Sequence, residues 1–190
     1  MLAVNEANPD YCGFIVEFPK SFRSVTADEV RELVKNLSPE IQPVGVFVNA
    51  SIELVRSLLD DGTLAMAQLH GQEKESYIAE LKAHTDKPVI KAFSIKTADD
   101  MENALQSPAD YILLDQGSGG TGKTFDWSLI PKIERPFFLA GGIGEENLEQ
   151  AIRDIHPFAV DLSSSVETEK WKDSEKIRRV VDIVRKAVQD

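Results

Sequence analysis

Cysteine is nearly absent from this sequence, and that sets the first limit. Cys12 is the only one in 190 residues, so no intramolecular disulfide can form. Histidine is almost as scarce, and His70, His84 and His156 are scattered without metal-ligand spacing, which argues against a structural metal. No apolar run approaches the ~18 residues that a membrane span requires. The start lacks the basic-then-apolar pattern of a secretory signal, so a cytoplasmic protein is expected. Positive charge is also in short supply. With 21 Lys and Arg against 32 Asp and Glu, the formal net charge is −11. Attraction to nucleic acid or anionic lipid depends on clustered cations, so neither partner is expected. Any phosphate must then be held locally, by backbone amides or a few cations.

What is present suits a single globular domain, since 42% of the residues are hydrophobic and 28% charged. Seven short β-rich apolar runs recur: Tyr11 to Phe18, Pro43 to Val48, Ala65 to Leu69, Val89 to Phe93, Tyr111 to Leu114, Phe137 to Ala140 and Ala159 to Leu162. Helical patterns separate them. Thr26 precedes the amphipathic stretch Asp28 to Leu37, Thr97 precedes Ala98 to Leu105, and Glu145-Glu146 opens Asn147 to Ile155. In the last segment, Asp173 to Val188, Ile177, Val180, Val181, Val184 and Val188 fall at helical spacing. Such alternation argues for parallel strands joined by crossover helices, in either an open doubly wound sheet or a closed barrel. Polar and glycine residues gather just past six strand ends, whereas an open sheet would concentrate them at one switch point. The expected architecture is therefore an α/β (β/α)₈ barrel spanning residues 1–190. Met1 to Ala7 reads as the end of a helix, so the count of seven predicts a barrel short of its first strand.

The strand ends carry the candidate chemistry. Asp115 closes the run Tyr-Ile-Leu-Leu, where it is either a turn or cap aspartate or, at a half-buried barrel mouth, a general acid kept partly protonated by desolvation. Leu139-Ala-Gly-Gly-Ile143 and Asp161-Leu-Ser-Ser-Ser165 end consecutive strands, a common place for phosphate to be bound by backbone N–H groups. Gly141 and Gly142 allow close approach, and Ser163 and Ser164 add hydroxyl donors. Arg23 is a solvated charge or a fork for a carboxylate. His70 is a satisfied buried histidine or a ligand donor, and core packing is the simplest role for Cys12. The run Gln116 to Lys123, followed by Thr124, formally matches a nucleotide phosphate loop. However, Phe125-Asp126-Trp127 follows in place of an immediate long helix, and no second acidic strand for magnesium is evident, so a flexible glycine loop competes with that reading.

Val44-Gly-Val-Phe-Val-Asn49, Gln68-Leu-His-Gly71, Leu113-Leu-Asp115, Gly119-Gly-Thr-Gly122 with Phe125-Asp-Trp127, Leu139-Ala-Gly-Gly142 and Asp161-Leu-Ser-Ser-Ser-Val-Glu167 together resemble, in order and spacing, the motifs of the phosphoribosylanthranilate isomerases of tryptophan biosynthesis. The resemblance runs from about Asp10 to the C-terminus. It implies a cofactor-free Amadori rearrangement of a phosphosugar-anthranilate substrate, an aminoaldose, into the corresponding aminoketose. By motif position Asp115 resembles the general acid, and Arg23 the residue that receives the anthranilate carboxylate. His70 and Asp161 resemble ligand-contacting groups, and Gly141, Gly142, Ser163 and Ser164 the phosphate cradle. Two departures are visible: Ser-Phe-Arg23 stands where family members often have proline or a basic residue in the middle, and Ser165 where glycine is common.

The base is what the resemblance fails to supply. In the family it is a cysteine in a Lys-Ile-Cys-Gly-like string ending the first strand, and Cys12 belongs to the next strand's Asp10-Tyr-Cys-Gly-Phe14 run. Loss of a proton-transfer group forfeits ~10²- to 10⁴-fold in rate, so weak or absent activity is expected of these 190 residues. A non-catalytic phosphate-ligand-binding barrel is the alternative. Other phosphosugar barrels fit less well, because an indoleglycerol phosphate synthase wants lysines at strand ends and a pentose phosphate epimerase wants metal-ligating histidines. A missing strand would also leave the edges at Gly13 and Val160 unpartnered, so that the barrel either gapes or partly collapses or has the edges covered by a neighbouring chain in a homo-oligomer.

Overall fold

The computed structural model describes residues 1–115 and 127–187. They form two compact units. The first comprises Met1, Asn8–Ala92 and Ser107–Tyr111, and the second Leu2–Ala7, Phe93–Gln106 and Ile112–Asp190.

Helix α1 (Leu2–Ala7) belongs to the second unit, and the chain then enters the first. There, strand β1 (Tyr11–Val16) is followed by β2 (Ser24–Val25), α2 (Ala27–Val34), β3 (Gln42–Phe47), α3 (Ile52–Asp60), β4 (Met66–Leu69), α4 (Glu75–Lys82) and β5 (Val89–Ser94). The order is β2-β1-β3-β4-β5, with parallel pairing throughout. Parallel strands covered by helices bury both faces, and all four residues of β4 are buried. Phe14, Val16, Val30, Phe47, Val55, Leu58, Leu59, Leu69, Ile78 and Leu81 make the core of this unit. The helix start expected at Thr26 is a full capping box. Thr26 Oγ1 accepts from the Glu29 N–H (3.2 Å), and Glu29 Oε2 accepts from the Thr26 N–H (2.7 Å).

In the second unit, the end of β5 leads into α5 (Ala98–Leu105), β6 (Tyr111–Asp115), β7 (Phe137–Leu139), α6 (Leu148–Ile155) and β8 (Ala159–Val160). A two-stranded antiparallel hairpin, β9 (Glu167–Thr168) and β10 (Trp171–Lys172), precedes α7 (Ser174–Ala187). Strands β6, β7 and β8 pair in parallel. Its separate core joins Ile95, Met101, Ile112, Leu114, Phe137, Leu139, Leu148, Ile177 and Val180, and α1 packs on α7 through a face that includes Ala3, Val4 and Ala7. Thr97 caps α5 as Thr26 caps α2, with Asp100 as the reciprocal partner.

The strand count corrects the sequence reading. All seven expected runs are strands, but eight strands, β1 to β8, pair in parallel among the described residues. The additional one is β2, which lies against the edge of β1 with Ile15 opposite Ser24 and Val16 opposite Val25. The edge at β1 that was expected to lack a partner is therefore met by the chain's own next segment. Two residues are too few for an alternating pattern, so β2 leaves no trace in the sequence. Its position depends on the turn after β1, where Glu17 adopts φ 50° and its N–H donates to the Val25 carbonyl (2.9 Å). The hairpin β9-β10 escapes detection for the same reason of length.

Candidate active site

The candidate residues fall at strand ends in both units. In the first, Arg23 ends the turn between β1 and β2. Its backbone N–H donates to Ser21 Oγ (3.2 Å), and its guanidinium carbon lies 4.2 Å from the Phe22 ring centroid. The half-buried guanidinium is thus supported from one side by an exposed ring, an arrangement that suits receiving a planar carboxylate.

His70 follows β4 directly, and its N–H donates to the Phe47 carbonyl (2.7 Å). Its ring Nδ1 lies 3.0 Å from Nε2 of the buried Gln68. With the Gln68 amide donating, Nδ1 accepts, and Nε2 is then the ring's donor. The loop around it is tightly organised. Asn49, at φ 53°, accepts from the Gln72 N–H through Oδ1 (2.7 Å). Glu73 accepts from the Asn49 N–H (2.6 Å) and the Gly71 N–H (2.9 Å). A Cβ at Gly71 would sit 2.7 Å from the Asn49 backbone nitrogen, so only glycine fits there. Lys91, in the middle of β5, reaches Glu73 at 2.9 Å, and the two side chains are 6% and 1% exposed.

Burial works against the Glu73 charge, but the hydrogen bond from Lys91 and those from backbone N–H groups outweigh it, holding the carboxyl below its ordinary value. A carboxylate whose folded-state pKa is depressed contributes stability above its unfolded value and loses it as pH falls through the folded one. The urea midpoint should therefore be level near neutrality and fall below about pH 4. Replacing Glu73 with Gln should flatten this fall. An acid limb equally steep in the variant would remove Glu73 from the account.

Cys12 lies inside β1, opposite Pro43 of β3, half-buried and packed against the first core. That is the packing role read from the sequence.

In the second unit, Asp115 is the half-buried last residue of β6, following the buried Leu113 and Leu114. Its carbonyl accepts from the Ile95 N–H (2.8 Å), which anchors the backbone from which its carboxyl projects. Past β7, Gly141 and Gly142 have φ 82° and 71°, a left-handed pair that side chains rarely adopt. The Asn147 side chain stitches this loop to the start of α6: Nδ2 donates to the Gly142 carbonyl (3.0 Å), and Oδ1 accepts from the Gly144 N–H (2.9 Å). After β8, Asp161 is half-buried, and its N–H donates to the Leu139 carbonyl (2.9 Å). Ser163 and Ser164 are exposed at the start of a short 3-10 turn, Ser164–Val166. Lys172 Nζ donates to the Ser163 carbonyl (2.8 Å) and pairs with Glu167 (2.9 Å), tying the hairpin to the serine turn. The glycine-rich run Gln116 to Lys123, with Thr124 to Asp126, lies outside the described residues. No group of three or more potential metal ligands occurs among those described, and no described helix is long and apolar enough to cross a membrane.

The model of the N-(5'-phosphoribosyl)anthranilate (PRA) isomerase family matches residues 2–183. The chain belongs to that family. A PRA isomerase of Endomicrobium trichonymphae is 42% identical over 186 residues, covering 96% of this chain and 90% of the relative. The solved PRA isomerase of Thermotoga maritima is 36% identical with a TM-score of 0.87, covering 97% of this chain and 92% of that one. A PRA isomerase solved in complex with reduced 1-(o-carboxyphenylamino)-1-deoxyribulose 5-phosphate is 35% identical with a TM-score of 0.84, at the same coverage.

Within this PRA isomerase family member, sequence reasoning passed over three residues that organise the strand ends: Glu73, Lys91 and Asn147. Lys91 did leave a signal. A lysine inside the apolar run Val-Ile-Lys-Ala-Phe of a strand buried on both faces needs an acidic partner, and Glu73 is an acid within reach of the preceding strand's end. Asn147 carries no such mark, because asparagine before a helix is ordinary.

Proposed function

We propose that this chain rearranges N-(5-phosphoribosyl)anthranilate to 1-(2-carboxyphenylamino)-1-deoxyribulose 5-phosphate, and that in these 190 residues the reaction is slow. The family match over residues 2–183 carries the reading. The strand-end residues supply its chemistry. The rearrangement is redox-neutral overall, because hydrogen moves within one molecule and no atom is lost. Asp115, half-buried at the end of β6, protonates the furanose ring oxygen, so the ring C–O bond breaks and the anilino nitrogen forms a Schiff base. A base then takes the proton from the second sugar carbon, and the resulting enolamine collapses to the aminoketose. Arg23 receives the anthranilate carboxylate, and His70 and Asp161 contact the ligand. The left-handed pair Gly141 and Gly142, where the backbone is free of side chains, suits a phosphate together with the exposed Ser163 and Ser164.

Proton abstraction is the weak step. Cys12 is the only cysteine, and its place inside β1 against the core does not suit it to the family's catalytic thiol. That observation also favours a second reading, a barrel that binds the phosphorylated ligand without turning it over. Product formation from the aminoaldose, followed chromatographically alongside calorimetric binding of the reduced product analogue, tests both. Measurable affinity with slow turnover is expected. Affinity with no turnover would replace the first reading by the second, and absence of both would remove the assignment.

A further inference from the structure

The Lys91–Glu73 pair is an unexpected thing to bury. Removing both ions from water costs several kcal/mol per ion, and an apolar pair of similar volume commonly serves stability as well. Its hydrogen bonds to the backbone are nevertheless directed at one place. The three Lys91 donors go to the Leu69 carbonyl (3.2 Å), the Gly71 carbonyl (2.7 Å) and Glu73 Oε2 (2.9 Å). Glu73 in turn holds the N–H of Gly71 (2.9 Å) and that of Asn49 (2.6 Å). The residues gripped are therefore the two neighbours of His70 and the residue after β3 and Val48. His70 itself is hung from the Phe47 carbonyl and from Gln68, both in this same cluster. Three of these bonds fix the backbone on one side or the other of the imidazole.

We propose that Lys91 and Glu73 are positioning residues, which hold His70 so that its Nε2–H meets an oxygen of the bound substrate. The inference rests on the proposed function, in which His70 contacts the ligand. Charge is what makes the device rigid. An ammonium with three acceptors, in a strand that cannot shift without uncovering the core, gives the 69–73 turn a single arrangement, and a binding group loses less freedom when held in advance.

The test is a double-mutant cycle on the full chain, with calorimetric affinity for the reduced product analogue as the readout. Lys91→Met and His70→Ala are each expected to weaken binding about tenfold, a typical size for one oriented polar contact. The double variant should be no weaker than His70→Ala alone, because the lysine acts through the histidine. Additive losses, or binding unaffected by Lys91→Met, would overturn the positioning role and leave the proposed function standing. No binding by the unaltered chain would overturn both. Lys91→Met leaves a buried carboxylate without its cation, so Lys91→Met with Glu73→Gln, which keeps an acceptor for the Asn49 N–H, runs in the same cycle. If neither form folds, the pair is a stability element and the positioning role falls.

Discussion

Replacing Asp115 with asparagine should lower turnover by about 10²- to 10⁴-fold, the usual worth of a positioned proton donor. The affinity for the reduced product analogue should change by less than about threefold, since a protonated carboxyl and an amide have nearly the same shape and both can donate a hydrogen bond. The variant keeps the backbone bond in which the Asp115 carbonyl accepts from the Ile95 N–H. A fall in kcat with KM retained marks an interaction made in the transition state. The measurement is a steady-state comparison of the two chains, with calorimetry beside it. Turnover within threefold of the parent would remove Asp115 as the acid. A parallel loss of affinity would make it a binding group instead.

The second large effect concerns the base. Joining a Lys-Ile-Cys-Gly-bearing strand from a family member ahead of Met1 should raise turnover by about 10²- to 10⁴-fold, because it supplies the thiol that the resemblance assigns to proton abstraction. Changing the new cysteine to serine should cancel the gain. Cys12→Ser in the 190-residue chain should leave turnover within about twofold, given that Cys12 packs against the core from within β1. A tryptophan auxotroph lacking the isomerase gives the same comparison in vivo. Rapid growth on the 190-residue chain, abolished by Cys12→Ser, would make Cys12 the base after all.

These expectations differ in how far they could be drawn from residue order. Asp115 could be placed because it ends an apolar run, and the structure puts it at the last position of β6. The helix starts at Thr26 and Thr97 were similarly readable, since a capping box is a contact between residues three apart. Gly141 and Gly142 were marked by their own composition, and both adopt positive φ. The strand β2 was not readable. Its two residues carry no period, and its pairing with Ile15 and Val16 follows from the turn at Glu17. The apolar neighbours of Lys91 call for an acidic partner, but the whole of α4 separates it from Glu73, so which acid meets it, at 2.9 Å, took the tertiary structure to show.

The sequence by itself therefore determined the family, the alternation of strand and helix, and the chemical types waiting at the strand ends, because each is written in local period, local capping or a short motif. Tertiary structure alone decided that β1 acquires β2 as an edge partner, that the β9–β10 hairpin precedes α7, and that a buried ion pair holds the loop around His70. The physical reason is common to all three. Each depends on which residues share a small volume, and that is settled by how strands pair and helices cover them rather than by any residue's own preference.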